Sequence, residues 1–289
     1  KFNEKLAHPF NYNDIDSLKK IFKKYKNKIA CVIMEPITVN GPISKPSGST
    51  KWKNFNNKDN FLIDVKNLCK KNGALLVFDE VVTGFRYDMG GAQKMFDVIP
   101  DLSCWAKAMS NGVPISAITG KWEYIKYLEK TFFSFTYGGD CIGLAAAKAT
   151  IHKMNKNNVI DHLYKVGGEL KKGLNDLISI YQLNDYFECV GYPCRSIFKI
   201  NEVGKYNKPL ISKTLIQQEL IYNGILWSQY HSISYSHKSI HIKKTLEAFE
   251  KAFKKFKNIV SKNKKIENYL DGKPCETVFT RVSDFQSVA

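Results

Sequence analysis

The sequence lacks any long hydrophobic run. No apolar stretch in its 289 residues approaches the roughly 20 needed to cross a bilayer, and the longest, such as residues 74–78, have the length of a strand. The N-terminal residues contain no apolar segment of the kind found in signal peptides. We therefore expect a cytoplasmic protein that has no membrane partner.

Cysteine and histidine patterns typical of metal sites are also missing. The seven cysteines are an odd number scattered through apolar segments, and no two of them form a C-x-x-C pair. The six histidines form no H-E-x-x-H motif. This usage indicates reduced thiols in a cytosolic protein and predicts no bound metal.

Arginine is scarce although the chain is strongly basic. Of the 44 basic residues only Arg86, Arg195 and Arg281 are arginines, and the net charge is +17. A basic face that binds nucleic acid is one interpretation. Lysines at helix-surface spacing, as in residues 19–28 and 251–265, favour a solvated surface instead, and no aromatic ladder of the RNA-binding kind is present. We expect no nucleic-acid partner.

The first half of the chain alternates between strand and helix patterns. The predicted elements are a helix at 14–28, a strand at 29–35, a loop at 38–60, a helix at 61–73 and a strand at 74–80. Both strands are apolar on each side, which predicts an α/β fold whose parallel sheet is covered on both faces. Ligands of such sheets bind beyond the carboxyl ends of the strands, where Asp79 lies.

The second half changes from this pattern to an α+β pattern. Strands are predicted at 102–109 and 114–120, helices at 121–130, 141–154 and 159–181, paired strands at 186–191 and 194–201, a helix at 209–223, a strand at 224–228, and terminal helices at 238–270. We therefore predict a domain boundary near residue 158, with one domain at 1–158 and a smaller one at 159–289.

Asp79 and Lys107 are the candidate catalytic residues. Asp79 ends an apolar strand, and Lys107 follows 28 residues later (107 − 79 = 28) in a segment of small and apolar residues. Taken singly, Asp79 could be a cap at a strand end and Lys107 one surface lysine among many. Together they are the two groups that a pyridoxal phosphate enzyme needs most, because a carboxylate keeps the ring nitrogen protonated and a lysine forms a Schiff base with the aldehyde.

Three motifs resemble those of one enzyme family. They are FDEVVTGFR at 78–86, PDLSCWAKAMSNGVPISAITG at 100–120 and FTYGGDCIGLAAAKATI at 135–151. In order and spacing they resemble a class III (fold type I) pyridoxal phosphate aminotransferase of the glutamate-1-semialdehyde 2,1-aminomutase-like subgroup, over about residues 10–279. The resemblance implies pyridoxal 5'-phosphate as cofactor, and a partial fold type I large domain at 1–158 followed by a small α+β domain at 159–289.

The resemblance also assigns roles to single residues. It implies that Asp79 pairs with the pyridine nitrogen, that Lys107 binds the aldehyde, and that Val81 packs on one face of the ring. Thr136 matches a threonine that reaches the phosphate of the neighbouring subunit's cofactor, which implies a homodimer. The alternative for Thr136 is an N-cap of the helix that follows it.

Further residues of the resemblance receive less specific interpretations. Glu80 and Arg86 belong to the first motif and are expected to have structural roles. Glu35 and Pro36 match a motif that lines the site. Arg195 is a candidate for binding a substrate anion, with a surface position on a strand as the alternative.

In the family, two features precede the part that this chain resembles. One is a glycine- and serine-rich loop that binds the cofactor phosphate, and the other is an aromatic residue that stacks on the ring. Neither lies before the first strand of this sequence, so we expect the chain to lack an N-terminal portion and to bind cofactor weakly or not at all.

Three functions fit these residues. The first is an aminotransferase that moves an amino group between an amino donor and an aldehyde or ketone, with a sugar or surface-glycan pathway as a possible setting. The second is an aminomutase that moves the amino group within one molecule. The third is a catalytically incomplete or non-catalytic protein that keeps the fold for interaction, against which the presence of both Asp79 and Lys107 argues.

Overall fold

The computed structural model describes residues 6–46, 48, 56–132, 138–204 and 208–276. The chain divides into two compact units, with Asn3–Asp161 in the first and His162–Ala289 in the second. The division falls inside a helix that begins at Val159. The assignment of 1–158 and 159–289 to a cofactor-binding and a small domain stays a prediction.

The first unit is built on a four-stranded sheet. Its elements in chain order are α1 (Ile15–Lys24), β1 (Cys31–Met34), α2 (Phe61–Lys71), β2 (Leu75–Asp79), α3 (Gly91–Met95), β3 (Leu102–Trp105), β4 (Ala117–Gly120), α4 (Trp122–Ile125) and α5 (Cys141–Lys156). The strand order is β1-β2-β3-β4, with the first three parallel and β4 antiparallel to β3. This confirms the predicted mainly parallel α/β sheet.

Helix α2 shows how the local sequence produces the strand–helix–strand unit. The side chain of Asn60 accepts hydrogen bonds from the backbone N–H groups of Leu62 and Ile63, at 2.9 and 3.3 Å, which caps the free donors at the helix start. Val65 and Cys69 continue one buried face, which packs against β2. Gly73, at φ +67°, ends the helix and leads the chain into β2.

One expectation about this sheet is wrong. Strand β1 was expected to be covered on both faces, but only Val32 and Met34 are buried, while Cys31 and Ile33 are exposed, Ile33 by 61%. The reason is that side chains alternate along a strand, and among the described residues nothing covers the face on which Cys31 and Ile33 lie. The cover returns on β2, where Val77, which pairs with Ile33, is only 8% exposed.

The second unit is the predicted α+β arrangement. Its elements are the main part of α6 (Val159–Ile180), β5 (Phe187–Tyr192), β6 (Arg195–Ile200), α7 (Pro209–Tyr222), β7 (Tyr230–Ser232) and α8 (Ser239–Ser261). The three strands form an antiparallel sheet in the order β5-β6-β7. Its core is a group of fully buried phenylalanines from two strands and α8, namely Phe187, Phe198, Phe249, Phe253 and Phe256.

Two other predicted elements differ from the structure. The strand expected at 224–228 is absent, because Gly224 ends α7 at φ +75° and Leu226 is 93% exposed, so the apolar pattern there does not mark a ladder. The third strand begins later, at Tyr230. The helix expected at 121–130 is only one α-helical turn, α4, which continues as a 3₁₀ segment at Lys126–Lys130. Neither piece has a buried residue, so no packing extends it.

No helix in the part of the chain that the structure describes is both long and apolar enough to span a bilayer.

Candidate active site at the carboxyl edge of the sheet

Asp79 is the last residue of β2, and its side chain is half-buried. Its Oδ1 accepts a hydrogen bond from the backbone N–H of Val81 at 3.0 Å. Asp79 is paired with Cys104 of β3. Burial raises the pKa of the Cys104 thiol, and the negative charge of Asp79 raises it further. The carboxylate therefore lies beside the end of β3, on the same face of the sheet as Cys104.

Glu80, the next residue, is fully buried and organises the turn after β2. Its carboxylate accepts hydrogen bonds from the Thr83 hydroxyl and from the backbone N–H groups of Ala92 and Gln93, the latter two at 3.0 and 2.8 Å. Burial raises the pKa of Glu80, while these hydrogen bonds act in the opposite direction. Gly91, at φ +75°, leaves room for the carboxylate, since a Cβ there would lie 2.6 Å from it. The contacts of Glu80 thus tie the turn to the start of α3.

Lys107 follows β3 and begins a short 3₁₀ turn, Lys107–Met109. Its side chain is exposed, and its backbone has φ +45°, in the left-handed region that non-glycine residues rarely adopt. The carbonyl of Lys107 accepts a hydrogen bond from the N–H of Asn111 at 3.2 Å, which closes the loop behind it. Unusual backbone at a residue with a reactive side chain is common where a site holds that side chain in one direction.

A cleft of about 540 Å³ opens beside Lys107. Its size is within the range of small-molecule and cofactor sites. Apart from Lys107 its lining is small and mostly apolar, namely Ala106, Gly112, Val113, Pro114, Ile115, Ser116 and Gly138. A primary amine at such a cleft has space for an aldehyde ligand of moderate size.

The structure brings Asp79, Val81 and Lys107 to one edge of the sheet. Because β2 and β3 are parallel neighbours, the residues that follow their carboxyl ends meet at the same edge. Val81 is half-buried beside Asp79. Glu35, directly after the parallel strand β1, belongs to this edge as well and is exposed.

Two other candidates lie elsewhere or outside the description. Thr136 is not among the described residues. Arg195 begins β6 in the second unit, where its guanidinium carbon lies 5.4 Å from the centre of the Tyr230 ring. That contact fits the alternative interpretation, a strand residue that packs on a neighbouring ring.

Sequence reasoning missed two features of the edge, the buried Glu80 network and the position of Trp105. Trp105 is 8% exposed and stands two residues before Lys107. The adjacent glycines Gly90 and Gly91 were a signal that the backbone there comes close to another group. Nothing in the sequence alone indicated which carboxylate that group would be.

Comparison with known families gives one match that covers most of the chain. The family model described as "Aminotransferase class-III" matches residues 3–191. A glutamate-1-semialdehyde 2,1-aminomutase of Francisella philomiragia is 31% identical over 84% of this chain and 57% of its own length. A 3-aminobutyryl-CoA aminotransferase of Cloacimonas acidaminovorans is 32% identical over 88% of this chain and 59% of its own length. The chain thus spans less than two thirds of these relatives.

Solved structures of low sequence identity share the fold. The FumI protein of Sphingopyxis sp. MTA144, solved in its PLP internal aldimine form, has a TM-score of 0.74 at 23% identity, over 88% of this chain and 58% of that protein. The ornithine aminotransferase of Toxoplasma gondii has a TM-score of 0.69 at 20% identity, over 86% of this chain and 56% of that protein. With the family match over residues 3–191, the chain belongs to the class-III aminotransferase family.

Proposed function

We propose that the protein is a pyridoxal phosphate-dependent aminotransferase that moves an amino group between an amino donor and an aldehyde or ketone. The observation that supports this most is that Asp79 ends β2 and Lys107 follows the parallel neighbour β3, at one edge of the sheet and inside the part of the chain that matches the family. Membership of the family does not by itself show that a chain keeps the reactive groups. Asp79 and Lys107 are the two groups that this chemistry requires.

The residues present fit the ring and the aldehyde of the cofactor, and weak binding of the cofactor stays a prediction. The cleft beside Lys107 has the volume of a small-molecule site and an apolar lining, and a carboxylate lies at the end of the adjacent strand. Pyridoxal phosphate, when bound, supplies an electron sink for the carbon that loses or gains the amino group. Asp79 would hold a proton on the ring nitrogen through its negative charge, and Val81 would pack against the ring.

Lys107 would bind the cofactor aldehyde through its amine and then, once substrate has taken that place, carry a proton to and from the substrate carbon. An exposed amine on a short, hydrogen-bonded turn is suited to both tasks because it faces the cleft from a fixed backbone. The Glu80 network would serve this arrangement indirectly, by fixing the turn that carries Asp79 and Val81.

An aminomutase is the second candidate. It is favoured by the 31% identity to the Francisella glutamate-1-semialdehyde 2,1-aminomutase. The aminotransferase is supported by the 32% identity to the 3-aminobutyryl-CoA enzyme. Asp79 and Lys107 would serve either reaction. The two reactions differ in whether a keto acid is released from the amino donor, so its release decides between them. A place in a sugar or surface-glycan pathway stays a prediction.

A homodimer with Thr136 at the partner's cofactor phosphate is part of the same proposal. Support comes from large apolar side chains that are exposed at Phe132, by 94%, and at the start of α5, where Ile142 is exposed by 70% and Leu144 by 56%. A cytoplasmic location is also proposed, since all seven cysteines are free.

The proposal is tested by incubating the protein with saturating pyridoxal phosphate and L-glutamate, with and without an aldehyde acceptor, and measuring the keto acid released. We expect release that Lys107→Ala abolishes, while the exposed lysine variant Lys126→Ala leaves it unchanged. Release without acceptor, limited by the pyridoxal phosphate that accepts the amino group, supports the aminotransferase. Conversion of an amino-aldehyde substrate with no keto acid released would instead establish the aminomutase. Equal release by the parent and Lys107→Ala would refute both.

A further inference from the structure

Trp105 packs against the turn that follows Asp79 and belongs to the same buried cluster as Met109 of the loop that carries Lys107. It is the last residue of β3, two positions before Lys107, and its ring is almost completely buried. Its indole N–H donates a hydrogen bond to the Thr119 hydroxyl on β4 at 2.8 Å. The ring is therefore fixed in direction from the β4 side of the sheet.

On the other side the indole ring lies against Gly84. A Cβ at Gly84 would be 2.6 Å from Cζ3 of Trp105 and 2.8 Å from the carbonyl oxygen of Glu80, closer than real Cβ atoms come. Gly84 belongs to the turn after Asp79, where its N–H donates to that Glu80 carbonyl at 2.7 Å. The turn can approach the indole this closely only because residue 84 has no side chain.

Neighbouring apolar side chains hold the indole in this place. The Phe85 ring centre lies 5.5 Å from that of Trp105. The remaining members of the cluster come from the Lys107 loop, β4 and α5, namely Met109, Ile115, Ala117, Ala147 and Ile151. The ring therefore contacts the turn after Asp79 and strand β4, and it belongs to a cluster that includes Met109 from the Lys107 loop.

We propose that Trp105 is a positioning residue that sets the Lys107 amine relative to the Asp79 carboxylate through its contacts with Gly84, Phe85 and Thr119. The inference rests on the proposed function for its catalytic consequence, although the structural coupling stands without it. Well-oriented groups owe much of their reactivity to geometry, and displacements near 1 Å reduce rates by factors of about 100. A smaller side chain at 105 should therefore slow the reaction of Lys107 by displacing its amine, although Lys107 itself is not substituted.

The test uses four variants of the full chain. Trp105→Leu removes the ring, Trp105→Phe keeps a ring against Gly84 but lacks the N–H, and Thr119→Val removes only the hydrogen-bond acceptor. Phe22→Leu, at a buried aromatic on α1, controls for a general loss of core packing. Thr119 is exposed, so its variant remains informative if Trp105→Leu does not fold.

Two measurements are compared. Amide hydrogen exchange, followed by mass spectrometry, reports on residues 80–86 and 106–113. The rate at which pyridoxal phosphate labels Lys107 is followed by trapping with borohydride, which adds hydride to the reversible carbon–nitrogen double bond and leaves a stable secondary amine. We expect Trp105→Leu to accelerate exchange in both segments and slow labelling about tenfold or more. In Trp105→Phe the exchange rate and the labelling rate should both lie close to those of the parent. Thr119→Val should change both rates in the same direction as Trp105→Leu, but by less. Phe22→Leu should change neither the exchange rate of these segments nor the labelling rate.

Labelling of Lys107 at the parent rate in Trp105→Leu would overturn the positioning role, as would equal effects of Trp105→Leu and Phe22→Leu. If the parent shows no label on Lys107 at all, the proposed function fails. Amide hydrogen exchange then decides whether Trp105 couples the two segments. Faster exchange in both segments of Trp105→Leu then supports the coupling, and exchange confined to 106–113 refutes it.

Discussion

The carboxylate of Asp79 accepts a hydrogen bond from the backbone N–H of Val81. Its negative charge adds to burial in raising the pKa of the Cys104 thiol on the next strand. The sequence placed this residue correctly at the end of a buried strand because a run of apolar residues followed by a charge marks that position. It did not reveal that Glu80, one residue later, would be the fully buried carboxylate. Two adjacent acids look alike in a sequence, and only the backbone N–H groups of Ala92 and Gln93, brought close by folding, separate their roles.

Asp79→Asn is the sharpest single-residue prediction. Asparagine keeps the oxygen that accepts the Val81 N–H, so the free energy of unfolding should change by less than about 0.5 kcal/mol. The negative charge that would hold the cofactor proton is lost, so we expect kcat/KM for amino transfer to fall about 100-fold or more. Steady-state kinetics at saturating cofactor measure it. Activity within twofold of the parent would show that Asp79 has no part in the chemistry.

At the scale of elements, a buried histidine connects strands β6 and β7 of the second unit to the loop before β7. His231 on β7 accepts the indole N–H of Trp227 on Nε2 at 3.0 Å, so its own proton lies on Nδ1, which donates to the Ser196 hydroxyl of β6 at 2.9 Å. Residues 224–228, for which the sequence predicts a strand, supply Trp227 to this group. A buried anchor in a loop and a strand residue give the same apolar signal, so the sequence could not separate them.

This group predicts a specific dependence of stability on pH. Burial lowers the pKa of His231 from 6.5 to about 4. Between those values the unfolded chain binds more protons than the folded chain, so this contribution is fully present above pH 6.5 and is lost as the pH falls toward 4. The contribution amounts to at most about 3 kcal/mol. Urea unfolding across this range, compared with His231→Gln, measures the difference.

The carboxylates that titrate in the same range are shared by both proteins and cancel in that comparison. The parent curve should fall more steeply than that of His231→Gln as the pH decreases from 6.5. Parallel curves would show that His231 is charged or exposed in the folded protein.

At the scale of the whole molecule, the chain spans 57% of the length of the Francisella relative, and one face of its main sheet is partly uncovered among the described residues. The sequence predicted a mainly parallel sheet in the first unit and the approximate positions of its strands along the chain, because apolar runs and breaks encode them locally. It could not predict which face of β1 would be covered, because a run that is apolar on both sides is compatible with cover on either face.

A pair of substitutions on β1 tests this description. Ile33→Lys, on the exposed face, should lower the free energy of unfolding by less than about 1 kcal/mol, because the charge stays in water. Met34→Lys, on the buried face, should lower it by about 3 kcal/mol or more. Chemical denaturation of both variants gives the comparison. Equal and large losses would mean that the Ile33 face is covered in the protein.

The central claim, that Lys107 is the cofactor lysine, is tested most directly by locating the trapped cofactor in the unmodified protein. The chain is equilibrated with pyridoxal phosphate at several concentrations, reduced with borohydride, digested and mapped by mass spectrometry. The account predicts that the label accumulates on Lys107 at concentrations where the surface lysines, such as Lys19 and Lys126, remain free of it. A label spread evenly over the surface lysines, or concentrated on a lysine away from the edge formed by β2 and β3, would contradict it.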